Sequence, residues 1–100
     1  MGGHGVRVAV REVIPTTAFR KDRKRLSASG RYDMETLKNV VAKLAGDLPL
    51  DLKLRDHALT NNWQDHRECH LRSDWILIYR LEPGRLVLVR TGTHNELFKK

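Results

Sequence analysis

Four of the five histidines of this 100-residue chain fall between His57 and His94. His57, His70 and His94 can each give or take a proton near neutral pH, because an imidazole titrates around 6.5. Asp74 and Arg90 stand in the same stretch. Two proton-transfer groups and a guanidinium are what cleavage of an RNA phosphodiester needs. One group takes the 2′-OH proton, another protonates the leaving 5′-oxygen, and the cation stabilises charge building on the phosphorane oxygens. The 2′-OH is an internal nucleophile, so this chemistry requires no metal and no cofactor. A metal alternative would use His66, Glu68 and His70 at i, i+2 and i+4 on one strand face. It is set aside because zinc sites usually add a further ligand close by, and neither a cysteine pair nor H-E-x-x-H is present.

Strands must bring these residues together. Residues 63–71 alternate, with Gln64, His66, Glu68 and His70 on one face and Trp63, Cys69 and Leu71 on the other. Residues 75–81 are apolar on both faces, as in a central strand. Pro83 and Gly84 suit i+1 and i+2 of a type II turn, and residues 86–91 form the next strand. If the three pair as a meander, the start of the middle strand and the end of the last lie at one edge. His70, Asp74, Arg90 and His94 then converge there. Residues 93–98 make a helical turn that sets His94 and Phe98 on one face. Trp63 reads as core. Trp75 and Phe98 are core or, as aromatics beside cations, platforms for stacked bases.

Upstream, residues 6–13 alternate as a half-buried strand with Val10 inward, ended by Pro15. A first helix over 17–28 carries Arg20-Lys21-Asp22-Arg23-Lys24-Arg25, five cations in six residues. They wrap around most of the helix, which points to phosphate contact beyond a merely solvated face. Asp33 caps a second helix through Ala45, with Met34, Leu37, Val40, Val41 and Leu44 as one apolar stripe. Residues 47–62 read as loop. The order β-α-α-β-β-β predicts a single α+β domain over residues 1–100, in which a helix hairpin covers one face of a small, largely antiparallel sheet. The other face is left for a ligand. Residues 1–5 read as an expression scar or a disordered tip, so His4 is excluded from the site.

The formal net charge is +7, and most of the basic residues are arginine, which suits bidentate phosphate contacts and base stacking. Nucleic acid is the leading partner class, an acidic protein the second. A single cysteine, Cys69, excludes an internal disulfide and fits a reducing cytosol. No apolar run is long enough to span a membrane, and no signal peptide is visible.

The run His70-x-x-x-Asp74-Trp75-Ile76-Leu77-Ile78-Tyr79, followed by Arg90-Thr91-Gly92-Thr93-His94-x-x-Leu97-Phe98, resembles the YafQ branch of the RelE-like bacterial toxins. Asp56-His57-x-Leu59 and Trp63-x-x-x-Arg67 fit the same pattern, and the resemblance covers the chain from Val6 onward. It implies a RelE-like fold and a cytoplasmic type II toxin that cuts mRNA in the A site of the 70S ribosome. It also implies a cognate acidic antitoxin, DinJ- or RelB-like, through which alone operator DNA is bound. On that resemblance His57, His70, Asp74 and His94 are the acid–base set, with His94 as general acid and His57 or His70 as base. Trp75, Arg90 and Phe98 position RNA or support the transition state. Arg67, Lys24 and Arg25 complete the expected RNA contacts. His66 departs from the pattern, where an aromatic is more usual. The alternatives are a non-cleaving RNA- or ribosome-binding module, or a gyrase-inhibiting relative of the same fold.

Overall fold

The computed structural model describes residues 10–98. The expected strand over 6–13 lies partly outside them, as does the reading of residues 1–5. Within them, strand β1 is Glu12–Pro15, shorter and later than expected. Val10 is exposed rather than inward. The reason is local: the Val10 and Arg11 amides both donate to the Ala45 carbonyl at 2.9 Å, and the Arg11 guanidinium donates to the Leu44 carbonyl. This segment closes the end of a helix before the chain reaches the sheet. Pro15 is tolerated because β1 is an edge strand, where a missing N–H breaks no ladder.

Helix α1 is Thr17–Ser29, started by the Thr16 hydroxyl accepting from the Phe19 amide and stopped at Gly30. Helix α2 is Met34–Ala45, capped by the Asp33 carboxylate. Its stripe buries Leu37, Val40 and Leu44, with Met34 and Val41 half-buried at the margin. A 3-10 turn at Leu52–Leu54 leads into β2, His57–Ala58. This two-residue strand lies in what the periodicity reads as loop. A second 3-10 turn, Asn61–Trp63, precedes β3, Arg67–Arg72. Then come β4, Trp75–Glu82, β5, Arg85–Gly92, and a short helix α3, His94–Phe98.

The five strands run in the order β1-β5-β4-β3-β2, with β1 parallel to β5 and every other pair antiparallel. The architecture is α+β with the expected helix hairpin on one face. Gly84, at φ 72°, makes the β4–β5 turn. Strand β4 is apolar on both faces because both are covered. Trp75, Leu77 and Tyr79 join the core under α1 and α2. Ile76 and Ile78 pack on the other side with Leu97, Leu59, Trp63, Val89 and Phe98. Each large side chain fully buried contributes about 1.5–3 kcal/mol, so β4 anchors two layers at once. The face expected to be left open is therefore partly roofed by α3.

Two expectations about aromatics are corrected here. Trp63 is not under the hairpin. The turn at Asn61–Trp63, with Asp65 at φ 72°, breaks the alternation and sends the indole to the α3 side. Trp75 is no base-stacking platform. It is 1% exposed, meets Tyr32 edge-on, and donates its indole N–H to the Thr91 hydroxyl at 2.9 Å. The parity of β4 puts residue 75 on the hairpin side with Leu77 and Tyr79.

Candidate active site

The alternation of β3 places Glu68 and His70 on the α3 side of the sheet, opposite Cys69. Pairing in the β2–β3 ladder puts His57 directly across from Glu68, and cross-strand partners share a face. Helix α3 brings His94 in from the far end of the chain. Its first turn is closed reciprocally: the Glu96 amide donates to the Thr93 hydroxyl, and the Thr93 amide donates to the Glu96 carboxylate, a capping box. Leu97 is buried beneath.

The result is one buried carboxylate shared by three imidazoles. Glu68 is 4% exposed. Its Oε2 lies 3.0 Å from His94 Nε2, 3.2 Å from His70 Nε2 and 3.4 Å from His57 Nε2. The His70 ring stands 5.2 Å from His94 and 6.1 Å from His57, centroid to centroid. Asp74, at the β3–β4 turn, reaches within 3.9 Å of His94 Nδ1. Phe98 stacks on His94 at 5.8 Å and meets Trp63 edge-on. So His57, His70, Asp74, His94 and Phe98 converge.

Hydrogen bonding assigns protons. The Arg55 carbonyl can only accept, so His57 Nδ1 donates to it at 2.7 Å. Arg55 Nη2 can only donate, so His70 Nδ1, 3.4 Å away, accepts, and its proton sits on Nε2 facing Glu68. Burial and the Arg55 charge hold the His70 imidazole below its ordinary pKa, against the opposing pull of Glu68. His70 is thus neutral near pH 7, the form a general base needs. A hollow of about 200 Å³ beside it is lined by Lys53, Arg55, His70 and Arg72, cations suited to a phosphate.

The cations predicted to contact RNA fare differently. Arg90 is turned onto Asp22 of α1, with Nε to Oδ2 at 2.6 Å and Nη2 to Oδ1 at 3.1 Å. Arg25 bridges Asp22 and Glu96, so it is a structural tie at the β5–α3 corner. Arg67 pairs with Asp56, which also accepts from the Tyr79 hydroxyl. Its partner in the ladder is Tyr79, so it belongs to the hairpin face, away from the imidazoles. Lys24 lines an apolar groove of about 870 Å³ between α1 and α2, and not the imidazole face. His66 bonds the Gln64 carbonyl and Arg80 rather than joining the cluster.

Arg55 is absent from the residues read from the sequence, and Glu68 figures there only as a possible metal ligand. The period-2 match of Glu68 with His70 was a visible signal; nothing in the local pattern marked Arg55, whose φ of 48° turns the chain into β2. The ground for setting a metal aside also fails in three dimensions. His57, Glu68 and His70 offer ligand atoms within 4.8 Å of one another, the third ligand coming from β2. Two imidazoles and a carboxylate are a donor set for zinc or copper, so these residues fit such an ion.

Residues 11–99 match the family described as "Bacterial toxin of type II toxin-antitoxin system, YafQ". The mRNA interferase toxin YafQ of Escherichia coli strain B / BL21-DE3 is 39% identical over 89 residues, 88% of this chain and 96% of that one. A copper-bound mutant toxin from Helicobacter pylori superposes with a TM-score of 0.84 at 36% identity, covering 88% of this chain and 99% of that one. The E. coli DinJ–YafQ complex gives 0.79 at 39% identity, covering 88% and 98%.

Proposed function

This chain belongs to the YafQ family of bacterial type II toxin–antitoxin toxins, and from that premise we propose that it is an mRNA interferase. On this reading it is a ribosome-dependent endoribonuclease that cuts mRNA in the A site by metal-independent acid–base catalysis, with the RNA 2′-OH as nucleophile. One observation carries the proposal: three imidazoles from β2, β3 and α3 meet on the Glu68 carboxylate at 3.0–3.4 Å. A module that only binds RNA needs cations, and has no use for that convergence.

His94 is assigned as general acid. Its Nε2 is the closest to the Glu68 carboxylate, and Asp74 faces its other nitrogen. Neutral His70 is assigned as general base, with His57 completing the set. Arg90 supplies charge to the phosphorane, and Phe98, stacked on His94, presents its free side to a base. His57 and His70 of the acid–base set are also, with Glu68, the residues that would bind a divalent ion. A bound ion on His57, Glu68 and His70 would supply Lewis-acid chemistry there.

The partners follow: mRNA and the 70S ribosome as substrate, and a cognate acidic antitoxin, as in the DinJ–YafQ complex. We assign the antitoxin to the groove between α1 and α2. Its floor is apolar, from Phe19, Leu37, Val41 and Leu88. Its rim is cationic, from Arg20, Arg23, Lys24 and Lys38, against the single acid Glu35. An acidic amphipathic segment matches that pattern.

The test is cleavage on mRNA-programmed ribosomes. Loss of a general acid costs about 10²–10⁴-fold, so His94→Ala is expected to abolish new 5′-OH ends while keeping fold and antitoxin binding. Cleavage is expected to persist when the toxin alone is stripped with EDTA and then returned to EDTA-free, Mg²⁺-containing ribosomes. A fully active His94→Ala protein would refute the acid assignment, and loss of activity in the stripped toxin that added zinc or copper restores would refute metal independence.

A further inference from the structure

We infer that Asp22 is a positioning residue that aims the Arg90 guanidinium at the scissile phosphate, an inference that rests on the catalytic reading above. Asp22 is the one carboxylate in the cationic run of α1, yet it is 2% exposed. Taking a carboxylate out of water is costly unless every lone pair finds a partner. Here Arg90 Nε and Nη2, the Thr91 amide and Arg25 Nη1 all donate to it, at 2.6–3.2 Å. Replacing a whole buried ion pair by packed apolar side chains is often harmless to stability, so stability alone does not account for the presence of this one.

Geometry gives it a role. Arg90 stands opposite Ile78 in the β4–β5 ladder, and Ile78 lies on the imidazole side of the sheet. The ladder shifts at Val89, which has no partner on β4, and β1 pairs with β5 only as far as Leu88. Beyond that point β5 has a free edge. Arg90 can therefore start on the imidazole face and reach round the edge to α1. Asp22 grips the Nε/Nη2 side of the fork and leaves Nη1 without a protein partner among the described residues. The side chain stays 32% exposed. A guanidinium held by one edge offers the other to a phosphate oxygen in a fixed direction.

The same carboxylate sets the corner that carries the acid. Thr91 is fixed through its amide, and Arg25 passes from Asp22 to Glu96, which closes the first turn of α3. One buried anion thus ties the phosphate-binding arginine to the helix that presents His94 and Phe98.

The experiment is a double-mutant cycle in the full chain on mRNA-programmed ribosomes. Misaiming a catalytic group by about 1 Å can cost about 10²-fold, so Asp22→Asn is expected to lower kcat about 10–100-fold with KM nearly unchanged. Asp22→Asn combined with Arg90→Ala is expected to lose less than the sum of the two single losses, because most of the Asp22 effect passes through Arg90. Additive losses, or a native rate in Asp22→Asn, overturn the inference. If Asp22→Asn does not fold, Asp22→Glu keeps the charge while displacing the guanidinium. Reduced kcat with an unchanged pH profile supports the inference, and a native rate overturns it. His94→Ala run alongside separates the two readings: an active His94→Ala protein refutes the catalytic reading itself, whatever Asp22 does.

Discussion

Glu68→Gln is the sharpest probe of the imidazole cluster, because it removes the negative charge and turns one acceptor oxygen into an NH₂ donor while the volume stays. Oε2 is the common partner of His94, His70 and His57 at 3.0, 3.2 and 3.4 Å. Hydrogen bonds to a charged group are worth about 1.5–3 kcal/mol, and a neutral acceptor gives roughly half that. For the His94 contact, the one of the three with hydrogen-bond geometry, the loss is then about 0.8–1.5 kcal/mol. At about 1.36 kcal/mol per decade of rate, cleavage should fall about three- to tenfold. Stability should move the other way or not at all, since a buried amide costs less to desolvate than a buried carboxylate. The assay is single-turnover cleavage on programmed ribosomes, set beside urea unfolding of the same preparation. The limb of the rate–pH profile set by the His70 base should also move to lower pH, because the Glu68 charge opposes the lowering of the His70 pKa. Native cleavage by a folded Glu68→Gln protein, or a loss no larger than its unfolded fraction, would refute the view that this carboxylate organises the site.

Three further outcomes are expected. Trp75→Phe deletes the N–H that reaches the Thr91 hydroxyl. It should destabilise by about 1–3 kcal/mol in urea unfolding while KM for programmed ribosomes stays native; a raised KM at full stability would restore a substrate role. His70 has its pKa lowered from 6.5 by burial first and the Arg55 charge second. Below 6.5 the unfolded chain binds the proton more readily, so its stabilising contribution is complete above 6.5 and is lost as pH falls through the lowered folded value. His70→Gln should flatten stability against pH in that acid window, and an unchanged slope would contradict the shift. Reversing the groove rim with Arg23→Glu and Lys38→Glu should weaken the antitoxin complex about tenfold or more, as like charge replaces opposite charge, without slowing cleavage by the free toxin. Unchanged affinity would place the antitoxin elsewhere.

How much of this was legible in the chain differs element by element. The α2 stripe, the Asp33 cap, the Pro83-Gly84 turn and the doubly apolar β4 were readable because each is written in local spacing. The first strand was misplaced because the Val10 and Arg11 amides are claimed by Ala45, a partner far away in sequence. The two residues of β2 carry no periodicity at all; only the pairing of His57 with Glu68 makes them a strand.

For the candidate site, residue types and spacing were enough to bring His70, Asp74 and His94 to one edge, because strand ends in a meander fall together; His57 and Phe98 entered that set only with the family resemblance. What belonged to the tertiary structure alone was which side of the sheet each neighbour took and which charge it met there. The parity of β4 put Trp75 under the hairpin. Arg67 followed its strand to the same face, and Arg25 and Arg90 were claimed by Asp22. A cation's role depends on the nearest anion in space, and an imidazole's proton on the atoms around both ring nitrogens; neither distance is encoded in the separation of residues along the chain.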